Sequence, residues 1–560
     1  MRCATCCGIL ACFAGIAGAQ TMVDGVQFAD RGASGEIVLG NLRGGLGVID
    51  FDNDGFMDLA VGDLPGAIPI RLFRNAPDGA GGRTFIDVSA GSGLDDADAR
   101  IRFGGGVIAG DFDNDGWPDL YMTGYASQDT TAGLLYLNNG DGTFRNVSVA
   151  AGVRTIGERN QSCSAVDFDL DGDLDILTAN AANAARSFRL WRNNGDATFV
   201  DAGGIMPNYS TVSTHYAHAW FDYDGDGDAD CFLMPIGVGP VLLRNDTAGD
   251  GTRVFTNVAT AAGYTYLGPA PMGIAPGDYD NDGDMDFAVS DAAVGTYYRN
   301  NGDGTVTRVT PMATIFAWGI LWLDADNDGD LDHYQCGSLG RGANFDHLWR
   351  NNGGGQFENI SQAMNSTFSV SQYSVQVDVD NDGRQEMVTM NPGMPGQFVS
   401  VYGNISTTPG NWLKLALAGD GVRVNRSAVG AVVRVSAGGV TQMREIVSGS
   451  STTSTEDLRA HFGLGEAEAV DSIEVVWPRQ GNMARRTDVI AGPIAVDQIL
   501  AISPRCDADY DDDGFVSGGD FDLFVGAFEA GAAGADIDDD GFVAGPDFDA
   551  YVAAFEEGCG

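Results

Sequence analysis

Seven times the chain repeats one acidic nine-residue loop, Asp-x-Asp-x-Asp-Gly-x-x-Asp, beginning at Asp50, Asp111, Asp167, Asp222, Asp278, Asp324 and Asp378. Carboxylates at positions 1, 3, 5 and 9 crowd a single tight turn, and such crowding is unfavourable unless a cation sits among them. In the first copy Asp50, Asp52 and Asp54 converge, Gly55 permits the bend and Asp58 closes the site from the other side. The second copy uses Asp111, Asp113, Asp115 and Asp119; the third uses Asp167, Asp169, Asp171 and Asp175. The fourth uses Asp222, Asp224, Asp226 and Asp230, and the fifth Asp278, Asp280, Asp282 and Asp286. The sixth uses Asp324, Asp326, Asp328 and Asp332; the seventh keeps Asp378, Asp380 and Asp382 but ends in the longer Glu386. Hard oxygen donors on a flexible loop suit Ca²⁺, and no thiolate or imidazole is placed to favour zinc. These loops predict about seven Ca²⁺ ions.

Two further acidic loops near the C-terminus follow another spacing. Asp509, Asp511, Asp513 and Asp520 stand at positions 1, 3, 5 and 12, with Gly514 at 6. Asp536, Asp538, Asp540 and Asp547 repeat those offsets, with Gly541 at 6. This is the EF-hand loop with Asp in place of the final Glu, and it predicts two more Ca²⁺ ions. Each loop runs into an amphipathic helix. Phe521, Phe524, Val525 and Phe528 recur at helical spacing, as do Phe548, Tyr551, Val552 and Phe555.

The net charge is −47, from 78 acids against 31 bases. Ligand-position acids account for nearly half of those acids, so the acidity is largely metal-binding machinery. It excludes nucleic acid as a partner, since no basic patch displaces phosphate counterions. Residues 1–19 read as a secretory signal: Arg2, an apolar run over 9–16, then Ala17-Gly18-Ala19 as a cleavage site. No later segment reads as transmembrane. Five cysteines lie beyond that signal. Cys506 and Cys559 flank the C-terminal module and are placed to bridge it, whereas Cys163, Cys231 and Cys336 cannot all pair, which leaves one buried and free.

The flanks of the seven loops recur as well. An apolar strand precedes each loop and another follows, as in 106–110 and 120–122. A third strand ends in an Asn-rich turn, as at Asn138-Asn139-Gly140, Asn193-Asn194-Gly195, Asn300-Asn301-Gly302 and Asn351-Asn352-Gly353. A fourth opens with Phe, at Phe85, Phe144, Phe199, Phe255 and Phe357, with a weaker copy at Val306. Four strands per repeat of roughly 46 to 61 residues make a propeller blade. Phe28-Ala29-Asp30 precedes every loop, and no such strand follows the seventh, so the N-terminal strand is expected to complete the last blade.

The loop with its flanks resembles the FG-GAP (VCBS-type) repeat of integrin α heads and of many secreted bacterial proteins. The resemblance implies mainly structural Ca²⁺ sites and an interaction surface on a propeller face. From about residue 406 the text resembles the ASPIC/UnbV domain, through Asn411-Trp412-Leu413, Asn425-Arg426, Gly430 to Val435, Gln442 to Glu445, His461 to Gly465 and Val475 to Pro478. It departs at Ser450 to Ser454, within the Ser/Thr-rich stretch Gly449 to Thr455 that reads as a turn between strands, where a bulkier residue is more typical. The duplicated loop and helix resemble a dockerin, which implies a cohesin-like protein partner or a sorting and anchoring role at the cell surface.

The expected protein is mainly β: a seven-bladed β-propeller (20–405), a small β domain (406–503) and a small α-helical dockerin-like EF-hand pair (504–560). Its expected function is that of a secreted Ca²⁺-binding protein mediating extracellular protein or glycan binding and adhesion. The alternative is a polysaccharide-active enzyme, a lyase or hydrolase, on the same propeller. No catalytic constellation supports it: His215 and His218 read as strand residues, His461 as packed or capping, and no nucleophile elbow, P-loop or dinucleotide fingerprint occurs.

Overall fold

The computed structural model describes residues 25–31, 42–63, 70–95, 104–124, 131–156, 158, 160–180, 188–207, 209, 215–248, 252–266, 268–312, 315–337, 345–364, 370–390, 399–407, 409–479, 481, 485–505, 508, 510, 517–532, 535, 537 and 542–557. The leader at 1–19 lies outside them, as do Cys506, Cys559 and the loop acids Asp509, Asp511, Asp513, Asp536, Asp538 and Asp540.

The chain is mainly β, and among the described residues repeated four-stranded antiparallel sheets resembling a propeller run from Phe28 to Asn404. In each sheet the acidic loop joins the first strand to the second. The first strands are Leu42–Ile49, Gly104–Gly110, Asn160–Val166, His215–Phe221, Pro271–Pro276, Ala317–Leu323 and Tyr373–Val377. Each touches the next, and Tyr373–Val377 returns to Leu42–Ile49, so these strands form a closed circuit around an axis. Phe28–Asp30 pairs with Val399–Asn404, with Phe28 opposite Asn404, and supplies the outer strand of the last sheet as expected. Phe28, Tyr402 and Met387 are buried with Leu321 and Tyr334 of the preceding sheet, which ties the chain's start to its end through apolar packing.

The next stretch builds two sheets. Ala460–Gly465, Asn411–Leu417 and Gln498–Ile502 make one; Val440–Glu445, Val432–Ala437, Ala469–Val476 and Thr487–Ala495 make the other. Alternating Leu413 and Leu415, and Val433 and Val435, point into a core that also holds Ile108, Tyr121 and Ile176 of the second and third ring sheets. The second domain is therefore packed on the ring.

Residues 449–455 were read as a turn between strands. The structure instead places Ser448–Thr455 in the axis of the ring, where it bonds to the first strands of five sheets. Ala165 donates to Ser448 O (3.1 Å), Val107 to Thr453 O (3.3 Å), Val48 to Thr455 O (3.0 Å) and Ile274 to Ser451 O (3.1 Å). Ile320 N–H donates to Ser451 Oγ (3.0 Å). Only short side chains fit. A Cβ on Gly45 would stand 1.9 Å from Thr453 O, and one on Gly449 would stand 2.6 Å from Ser164 Cα. The small residues at 450–454 thus have a steric reason.

The C-terminal helices run Gly518–Glu529 and Gly545–Glu557, and Phe524 stacks on Tyr551 at 3.7 Å. No helix among the described residues is long and apolar enough to cross a membrane.

Candidate metal centres in the repeated loops

Each loop is built by its own hydrogen bonds, and the pattern repeats with two departures: in the fourth loop Asp222 accepts from Gly225 and Gly227, at positions 4 and 6, and in the fifth Asp286 accepts from Asn300 while its Oδ2 meets no donor. The position-1 carboxylate accepts from the N–H groups at positions 5 and 6: Asp54 and Gly55 donate to Asp50 at 3.0 and 2.9 Å, and Asp382 and Gly383 to Asp378 at 3.1 and 3.0 Å. The position-5 carboxylate accepts from position 7, as Asp54 does from Phe56 N–H at 3.0 Å. The position-9 acid spans two strands. Asp119 accepts from Phe112 N–H (2.9 Å) and from Asn138 N–H (2.7 Å) on the third strand. Glu386 does the same with Val379 (2.9 Å) and Asn404 (3.3 Å), its longer arm meeting the demands that Asp meets elsewhere.

Position 3 differs. Its Oδ1 is buried and meets no N–H donor in all seven loops: Asp52, Asp113, Asp169, Asp224, Asp280, Asp326 and Asp380. A buried carboxylate oxygen with no donor is costly unless something positive faces it. Ligand atoms of Asp50, Asp52 and Asp58 lie within 4.8 Å of one another, as do those of Asp111, Asp113 and Asp115. Asp167, Asp169 and Asp175 form a third such group, Asp222, Asp224 and Asp230 a fourth, and Asp278, Asp280 and Asp282 a fifth. These all-oxygen clusters fit a hard divalent cation such as Ca²⁺. Burial pushes Asp58 up to about 8, Asp278 to about 7 and Asp286 to about 9. Neighbouring carboxylates add to that rise in each case.

Sequence reasoning missed the role of two sets of asparagines, one at position 4 of five of the loops and one at the end of every third strand. The residue at position 4 takes a left-handed conformation, as at Asn53, Asn114, Asn281, Asn327 and Asn381 (φ +52 to +59°). Its amide then reaches the next loop: Asn53 donates to Gly116 O (3.2 Å), Asn327 to Gly383 O (3.0 Å) and Asn381 to Gly55 O (2.9 Å). Leu170 and Gly225 replace Asn in the third and fourth loops. The second asparagine ends the third strand. Asn75, Asn138, Asn193, Asn245, Asn300, Asn351 and Asn404 are each buried. Each donates to the position-2 carbonyl of the preceding loop, as Asn138 does to Phe51 O (2.9 Å), Asn404 to Ala325 O (2.9 Å) and Asn75 to Val379 O (2.7 Å). The Asn-Asn-Gly turns carried half of this signal. Asn75, Asn245 and Asn404 are not followed by an Asn-Gly pair, so the recurring element is the buried amide rather than the bend.

The second domain also reaches the loops. Lys414 Nζ lies 2.9 Å from Asp378 Oδ2, with both side chains buried. Arg485 lies 2.9 Å from Asp222 Oδ2. Arg459 donates to Gly55 O (3.3 Å) and Asn381 Oδ1 (3.0 Å), and His461 Nε2 bonds to Asn327 Oδ1 (2.9 Å). His461 is thus packed, as read. His215 and His218 lie on a ring strand, with His218 held between Ser162 and Ser164. Cys163, Cys231 and Cys336 depart from expectation: all three are buried and free, on three different sheets. In the C-terminal module, Asp520 Oδ2 accepts from Ser517 N–H (2.8 Å), and Asp547 accepts from Ile537 (2.7 Å) and Ala544 (2.6 Å).

The comparisons agree with this layout. FG-GAP-like repeats match residues 50–122, 111–178 and 167–233, and an ASPIC and UnbV domain matches 421–505. The chain thus carries FG-GAP-like repeats followed by an ASPIC/UnbV domain. It is homologous to cartilage acidic protein 1. The human protein is 23% identical over 494 residues, covering 80% of this chain and 70% of that one. The Xenopus tropicalis protein is 27% identical over 245 residues, covering 39% of this chain and 34% of that one. Among solved structures, an Agrocybe aegerita lectin described as recognising non-reducing terminal N-acetylglucosamine aligns at 18% identity with a TM-score of 0.40. That alignment covers 65% of this chain and 94% of the lectin chain. BBS1N from its complex with ARL6DN aligns at 9% identity with a TM-score of 0.41, covering 65% and 93%.

Proposed function

We propose that this is a secreted, Ca²⁺-binding extracellular protein in which a seven-bladed ring presents a binding face to a protein or glycan partner. The observation that carries the metal reading is the set of seven buried Oδ1 atoms at position 3, one per loop, each lacking an N–H donor. The residues that would hold the ions are positions 1, 3 and 5 of each loop, closed by position 9. A bound cation supplies the positive charge that lets these carboxylates remain ionised and close together. The position-9 acid, bonded to two strands, carries that order into the sheet.

The second domain lies over the end of the ring that bears the metal loops, and Ser448–Thr455 fills the axis. The face for a partner is therefore the opposite one. The export signal and the name of the homologues support an extracellular site. The helix pair acts as a dockerin-like anchoring tail carrying two further Ca²⁺ ions.

Calorimetric titration of the chelator-treated full chain with CaCl₂ tests the metal reading: binding at about nine sites is expected, and no heat would reject it. Protein and glycan arrays probed with the Ca²⁺-loaded chain test the binding reading. Cleavage of a bound glycan would replace it with an enzyme.

A further inference from the structure

The polar anchors of the second domain converge on the metal loops. Asp111 N–H donates to Ser427 Oγ (2.9 Å) and Arg426 N–H to Asn114 Oδ1 (3.1 Å) at the second loop. Gly481 N–H donates to Leu170 O (2.8 Å) at the third. Arg485 pairs with Asp222 at the fourth. Gly410 N–H donates to Asp326 O and Gly465 N–H to Asn327 O, both at 2.8 Å, at the sixth. Arg459 and Lys414 engage the first and seventh. Most of these partners are backbone groups or position-4 side chains, usable only while the loop keeps its closed, left-handed geometry. Where Leu170 and Gly225 remove the asparagine clasp, Gly481 and Arg485 tie the third and fourth loops to the second domain, and Arg253 bonds Asp169 O and Asp228 to join the two loops to each other.

We propose that the second domain is a Ca²⁺-dependent stopper of the ring: the ordered loops are its docking surface, and their disordering withdraws Ser448–Thr455 from the axis before the ring itself opens. This rests on the loops binding Ca²⁺. The physical basis is that four like charges in an ion-free loop repel and splay the turn, which scatters the anchor groups. The ring has its own fastening, since apolar cores free of second-domain residues join the first sheet to the second, the third to the fourth, the fifth to the sixth, the sixth to the seventh and the seventh to the first. The stopper segment itself is held by its surroundings. Thr453, a β-branched residue, sits at φ +63° and Ser451 at φ +57°, conformations that persist only when neighbouring contacts impose them.

The molecule carries its own reporter. Cys163 lies on a first strand and is 2% exposed; its carbonyl and Ser164 border Gly449 of the axial segment, and its Sγ faces Gly106 of the neighbouring first strand, to which the segment is also bonded through Val107. Cys231 and Cys336 are 0% exposed on second strands, within the sheets. The test is thiol alkylation of the full chain, read per cysteine by mass spectrometry, with and without chelator, alongside calorimetric Ca²⁺ binding. Chelation is expected to speed Cys163 labelling at least tenfold while Cys231 and Cys336 stay protected. Gly45→Val, which drives a side chain into Thr453 O, is expected to do the same with Ca²⁺ present. If Ca²⁺ binds but the three thiols respond together, or none responds, the stopper is overturned and the metal reading stands. If Gly45→Val leaves Cys163 protected, the segment does not fill the axis. If calorimetry shows no Ca²⁺ binding, the metal reading fails and the coupling falls with it.

Discussion

The first and seventh loops are nearly the same text in opposite surroundings. In the first, Asp54 and Gly55 are exposed and Arg74, itself about half exposed, pairs with Asp52 at 2.7 Å. In the seventh, Asp378 is fully buried and meets Lys414, which is 1% exposed. The local hydrogen bonds are the same, including the position-3 Oδ1 that no N–H reaches. The carboxylate geometry is therefore written within nine residues, whereas the energetic weight of each loop is set by what the fold lays over it.

Removing the ions should have the largest effect, because it acts on every loop at once. A site filled at a hundred times its Kd contributes about 2.7 kcal/mol, so chelation of several should lower Tm by more than about 10 °C; an unchanged calorimetric melt would break the metal reading for both loops. Lys414→Met should separate the two surroundings. It removes the buried ammonium that pairs with Asp378, while Asp457 keeps Arg459, and should cost about 3–5 kcal/mol in Ca²⁺ buffer. Arg74→Met, at the exposed loop, should cost less than about 1 kcal/mol. Equal costs from denaturant melts would erase the distinction.

The asparagines sharpen the comparison further. Asn138→Ala leaves the carbonyls of Phe51 and Pro118 without their donor and should cost about 2–3 kcal/mol. Asn53→Ala, at the exposed clasp, should cost less than about 1 kcal/mol by the same measurement. A smaller effect comes from the ring interior. Burial holds His218 down at about 3, well below its ordinary 6.5. The stability of its neutral form is complete above pH 6.5 and is lost as pH falls toward 3. His218→Gln should therefore spare about 2 kcal/mol of the loss between pH 7 and pH 5, since each histidine costs about 1.4 kcal/mol per pH unit below 6.5. Parallel pH profiles for the variant and the parent would refute this.

Much of the architecture was legible in the text. The acidic nonapeptide, the Phe that opens each outer strand and the early Phe28 strand carry their roles within a few residues, because turn chemistry and strand alternation are local. The apolar positions of both C-terminal helices were legible for the same reason, and Phe521, Phe524, Phe548 and Tyr551 do pack together. The asparagines were seen only as turn residues. Asn75 finds Val379, more than 300 positions away, and nothing near Asn75 announces that partner. Gly449 to Thr455 reads as a turn because a polar, small-residue run is locally indistinguishable from one. The three free cysteines were misjudged for a related reason: spacing along the chain does not say that they lie on different sheets.

By itself, then, the sequence determined which carboxylates gather, the four-strand repeat and the strand that closes it, since each depends on residues close enough in the chain to bond one another. Tertiary structure alone decided that Lys414 and Arg485 would meet loop acids, that amides would fasten sheet to sheet, and that a serine and threonine segment would occupy the axis. Those contacts join residues far apart in the chain, and only the closed circuit of sheets brings them within hydrogen-bonding distance.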